Sequence, residues 1–204
     1  MRKCTAITIL VVIFALLISI GCRVPAGGVA ETGAVTILCP SDATSAEHLA
    51  AKEVRRYLYL RTGELTPIVR ADTKLPAATP LIVVGRKDQP ILKTLTGKDP
   101  KLTSAIDSLE PQQYMLKTLK GRTGPTLLIV GGDAAGTLYG AYRFAEKLGV
   151  RFYLHGDTIP DERIAFKIPD LDETGKPLFS TRGIQPFHDF PEGPDWWNAD
   201  DYMA

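Results

Sequence analysis

The sequence predicts an α+β fold: two main helices packed on one face of a mixed β-sheet. Three observations carry this. Two long segments have a helical apolar period and capping residues at their starts. Short β-branched apolar runs, "AVTILC", "PLIVVG" and "TLLIVGG", stand apart from them as strands. The order is strand, helix, several strands, helix, strands, with no internal repeat.

Taken in order, "AVTILC" at 34–39 reads as a buried strand. In the next segment Thr44 and Glu47 have capping-box spacing. Ala46, Leu49, Ala50, Val54, Tyr57 and Leu58 make one helical face, and Lys52, Glu53, Arg55 and Arg56 the other. Gly63 supplies a left-handed stop. The cationic group Arg55, Arg56 and Arg61 reads as a solvated face with favourable charge near the helix C-terminus. "TPIVRA" and "PLIVVG" predict two more strands. The stretch from Lys87 to Leu109 predicts one short helix and loops. "QQYMLKTLK" at 112–120 alternates apolar and polar residues, as a half-exposed strand does. With "TLLIVGG" it forms a hairpin. Asp133 caps a second helix with a stripe of Ala134, Leu138, Ala141, Ala145 and Leu148, ended by Gly149. "VRFYLH" and "RIAFKIP" predict the last strands.

Composition narrows the function. Of 204 residues, 24 are basic and 23 acidic, so no electrostatic argument favours nucleic acid. Arg2 and Lys3 precede an apolar run at 6–20, then Gly21 and Cys22. This is the layout of a secretory signal, and its core falls short of the roughly 20 residues of a membrane-spanning helix. Residues 1–22 are therefore expected to be a signal peptide. "SIGC" resembles a bacterial lipoprotein processing site with Cys22 as the lipidated residue, although Ser19 stands where Leu is preferred. Cleavage after Ala30 and an uncleaved signal anchor also fit. All place the domain outside the cytoplasm, with membrane contact only through an anchor. Residues 23–33 read as a flexible tether. Cys39 is then alone, so no disulfide framework is expected.

Other chemistries find little purchase. Gly131 and Gly136 fit two glycines of a dinucleotide fingerprint, but Asp133 holds the middle position and would repel a pyrophosphate. His48, His155 and His188 have no partners at metal-ligand spacing. No nucleophile elbow is present. Neither cofactor nor metal is expected.

Three stretches, "AAKEVRRYLYLRTGELTPI", "LLIVGGDAAGTLYGAYRFAEKLGVRFYLHGDTIP" and "PLFSTRGIQPF", resemble the front part of glycoside hydrolases. The likeness is to family 20 β-hexosaminidases and α-glucuronidase-type enzymes. In these a small α+β domain, called zincin-like although it binds no zinc, precedes a catalytic (β/α)8 barrel. The resemblance implies an N-terminal domain over 34–172. Residues 173–204 would be the linker and the first strand and loop of an incomplete barrel.

Active sites form at the C-terminal ends of such barrel strands. Arg182 resembles the family 20 arginine that hydrogen-bonds sugar hydroxyls, and a guanidinium fork suits vicinal hydroxyls. His188 and Asp189 would line a sugar pocket, although in family 20 an Asp follows sooner. Trp196 and Trp197 would stack on a pyranose face. Arg182 pairing at the domain junction, and the tryptophans packing there, are the structural alternatives. The catalytic acids of such enzymes lie on later barrel strands. The expectation is therefore a non-catalytic front region of a secreted glycoside hydrolase, inactive by itself, with a glycan and its own barrel as partners. The rival is a free-standing surface lipoprotein that binds glycan or protein.

Overall fold

The structure is a computed structural model, and it describes residues 35–75, 80–121, 124–153, 156–183 and 198–199. Six strands form the main sheet: β1 (Thr36–Cys39), β2 (Ile68–Arg70), β3 (Leu81–Arg86), β4 (Tyr114–Gly121), β5 (Gly124–Gly131) and β8 (Asp172–Gly175). Their order is β2-β1-β3-β5-β4-β8. The first four in that order run parallel. β4 is antiparallel to β5 and to β8. A separate ribbon pairs β6 (Arg151–Tyr153) with β7 (Gly156–Thr158).

The sheet is mixed as the sequence predicts, and α1 (Ser45–Thr62) and α4 (Ala134–Lys147) cover one face. Ile37, Ile82, Leu127 and Ile129 point into that layer against Val54, Leu58, Ala141 and Phe144. The opposite face is also covered. Two short helices, α2 (Pro90–Thr96) and α3 (Pro100–Asp107), bring Ile91, Leu92, Leu102 and Ile106 onto Leu38, Val83, Leu128 and Val130. Burial on both faces is why the central strands read as unbroken apolar runs.

The expected single short helix after Lys87 is thus two. Each opens on proline at its first position, Pro90 and Pro100, where the missing N–H is no loss. Asp99 caps the second through Leu102 N.

Two further expectations are corrected. Residues 163–169, "RIAFKIP", form no strand. Phe166 and Ile168 still pack on the core, and Phe166 meets Phe144 edge-on at 6.2 Å between centroids. The backbone here is drawn to isolated partners: Ile164 N donates to Arg61 O, and Thr118 Oγ1 donates to Pro169 O. That leaves no continuous ladder. The sixth strand is instead the polar "DETG" of β8. Its Glu173 binds Arg143 Nε and Lys147 Nζ, both at 2.5 Å. These pairs hold Glu173 below the usual carboxylate range, Lys147 contributing most. Arg61, expected on a solvated face, is buried. It donates from Nε to Leu148 O at 2.8 Å, and from its terminal nitrogen to Pro160 O at 2.5 Å and to Glu162 O.

Candidate functional site

The turn from β5 into α4, "GGDAAG", is a joint of main chain against main chain. Asp133 caps α4 through Gly136 N at 2.7 Å. The same carboxylate oxygen accepts from Gln112 N at 3.0 Å, which steadies Gln112 at φ 65°. A Cβ on Gly132 would lie 1.9 Å from Glu110 O, and one on Gly136 would lie 2.2 Å from Gln113 O. The glycines therefore let the helix start sit against the 110–113 loop. Asp133 is consumed by this packing. Gly136→Ala is expected to cost about 3 kcal/mol or more, because a carbonyl oxygen cannot rotate aside as a side chain can. Thermal unfolding of the variant measures it.

The same loop receives the chain's exit from the sheet. After β8, residues 176–183 run as an exposed strap over the Gln112–Tyr114 corner and the outer face of α4. Arg182 pins it. Its guanidinium donates to Gln112 Oε1 at 2.5 Å, to Tyr139 Oη at 2.9 Å and to Phe179 O, and it lies over the Tyr139 ring at 5.6 Å. Those acceptors are neutral, so the strap is latched without a carboxylate. The latch is exposed, so Arg182→Ala should change stability by about 1 kcal/mol or less. Chymotrypsin cleavage after the exposed Phe179 should nonetheless quicken in the folded variant.

Strap and helix flank an open cleft of about 480 Å³. Tyr114, Tyr139 and Tyr142 line it together with Leu178 and Phe179 of the strap, and Arg143, Glu146 and Lys176 bring charge to it. Spacing on α4 explains the helix contribution: 139, 142, 143 and 146 share one face. Arg143 is held by Glu146 at 2.7 Å and by Glu173.

Of the residues expected to meet substrate, Arg182 is the one the structure describes, and it lies in this cleft. His188, Asp189, Trp196, Trp197 and the lipidation candidate Cys22 lie outside the described residues. Gln112 and Tyr139, the partners of Arg182, were not singled out by sequence. A readable signal existed for Tyr139: two tyrosines three apart on α4, off its apolar stripe.

Elsewhere, burial pushes the Cys39 thiol up to about 11, with Glu47 adding to the rise. A thiol so protonated is no nucleophile at neutral pH, although His48 Nδ1 is 3.6 Å away. Among the described residues, no three His, Cys, Asp or Glu side chains gather to hold a metal. None of the described helices is long and apolar enough to cross a membrane.

Comparison with known proteins adds the following. The model of the glycosyl hydrolase family 67 N-terminus matches residues 30–144. No curated protein matches. Among solved structures, the chain is similar to a family GH115 4-O-methyl-alpha-glucuronidase, BtGH115A, described as having specificity for decorated arabinogalactans. The match has 22% identity and a TM-score of 0.49. It covers 69% of this chain and 17% of that one.

Proposed function

The chain belongs to the glycosyl hydrolase family 67 N-terminus family, whose model spans more than half of it, and from that premise we propose that it is the non-catalytic N-terminal region of a secreted glycoside hydrolase. Its work is to carry a catalytic part that follows the 176–183 strap. The family match is the observation that carries this reading, and the strap supports it. Leu178 and Phe179 are 94% and 69% exposed, as apolar residues awaiting a cover are. The carboxylates beside the cleft are poor candidates for glycosidic acid catalysis, which needs a carboxyl with a raised pKa. Glu173 is shifted the other way, and Glu146 is paired with Arg143. Secretion rests on Arg2, Lys3 and the apolar run at 6–20, and the lipid anchor on Cys22.

Two proteins test the proposal: the 204-residue chain, and that chain extended through its downstream codons. Reducing-sugar release from polysaccharides is expected from the extended protein alone. Hydrolysis by the 204-residue chain would sink the non-catalytic reading. A downstream region with no barrel would remove the hydrolase claim.

A further inference from the structure

We propose that the cleft between α4 and the strap is a saccharide-binding subsite that takes a short pyranoside. Its volume falls within the roughly 300–1,000 Å³ of small-molecule sites. The walls are aromatic, and the apolar C–H face of a pyranose packs on such rings. The polar groups have spare capacity. Among the described residues, the Tyr114 hydroxyl and the Lys176 ammonium make no hydrogen bond or ion pair.

Tyr114 is half-buried, and burial raises its phenol above the ordinary range, so it stays a protonated donor beside the Lys176 ammonium. A purely apolar occupant would shut these donors away unpaired, which is unfavourable. An occupant with an apolar face and a rim of hydroxyls satisfies rings and donors together. Arg182 and Arg143 are already engaged by the protein, so they frame the cleft and do not compete for ligand oxygens.

The ligand class rests on the glycosidase reading, whereas the geometry of the cleft does not. Binding is measured by saturation-transfer difference NMR on the 204-residue chain. Cellobiose is the neutral probe and digalacturonate the acidic one. Saturation transfer to the ring protons of at least one probe is expected, with a dissociation constant on the order of millimolar. Lys176→Ala and Tyr114→Phe should each weaken it about 5- to 10-fold. Tyr114→Phe keeps the ring that packs over Gly175, and Lys176 has no partner to lose, so both variants should melt as the parent does. The proposal is overturned if neither probe receives saturation, or if binding is unchanged in both variants. Such a failure leaves the hydrolase reading standing, because the activity of the extended chain decides that separately.

Discussion

Replacing Glu47 by Gln is expected to destabilise the fold by about 3–5 kcal/mol, the range for breaking a buried charge from its partners. Glu47 is fully buried at the first turn of α1. One carboxylate oxygen accepts from Thr44 N at 2.8 Å and Thr44 Oγ1 at 2.9 Å. The other accepts from Arg86 N at 2.9 Å and Gln89 Nε2 at 3.1 Å. Arg86 Nε is 3.2 Å from the carboxylate, but its N–H is not aimed there, so that pair is ionic without a hydrogen bond. An amide fits this place badly, because its NH2 end would confront donors.

The same residue sets a pH dependence. Burial pushes the Glu47 carboxyl up, but the Thr44 and Arg86 amides, the Thr44 hydroxyl and the Gln89 amide together bring it below its usual range. A lowered folded-state pKa means the stabilisation is fully present above the unfolded value of about 4.3. It is lost as pH falls through the folded value. Urea midpoints between pH 7 and pH 3 should therefore fall on the acid side in the parent. The fall should be shallower in Glu47→Gln, with Glu173, also lowered, supplying much of what remains. Equal slopes in the two proteins would remove Glu47 from this role.

Arg61→Ala is the second large effect, about 3–5 kcal/mol, because charge-assisted hydrogen bonds worth about 1.5–3 kcal/mol each are lost. Its three carbonyl acceptors join the end of α1 to the end of α4 and to residues 160–162. Leu148 O lies at the C-terminus of α4, where a cation is favoured. Removal leaves that buried carbonyl unpaired. At roughly 2–4 °C per kcal/mol for a domain of this size, the melting temperature should fall by about 6–20 °C. Arg61→Lys should recover only part, because a point charge cannot span three acceptors. Hydrogen exchange at Ile164, whose amide donates to Arg61 O, should rise with the loss.

These two residues also mark where the helix reading went astray. The apolar face inferred for α1 included Leu49, which is 41% exposed. The buried stripe is Glu47, Ala50, Ala51, Val54, Tyr57, Leu58 and Arg61, spaced by three and four throughout. Its two ends are charged. A hydrophobic pattern passes over them, because it assigns charge to solvent. Each is admitted to the interior by partners distant in sequence, Arg86 and Gln89 for one and Leu148 to Glu162 for the other.

The candidate site divides in a similar way. The caps of α1 and α4, the left-handed Gly63 and the β4–β5 hairpin were legible, because each is fixed by contacts within a few residues. The latch of Arg182 onto Gln112 and Tyr139 was not, because its partners lie 70 and 43 residues away. Nor was the cleft, whose walls come from β4, α4 and the strap.

By itself, then, the sequence determined the two main helices, the strands from Thr36 to Gly131 and their order, and the family-bearing motifs at "GGDAAGTLYG" and its flanks. Period, capping chemistry and glycine geometry act locally, and these are written in consecutive residues. Tertiary structure alone decided which apolar segment ladders and which merely packs. Residues 163–169 are apolar yet unpaired, whereas the polar Asp172–Gly175 becomes a strand. That choice depends on the partners the fold places opposite each backbone: Thr118 and Arg61 for the one, and β4 with Arg143 and Lys147 for the other. Hydrogen bonds and ion pairs across such separations leave no periodic trace along the chain.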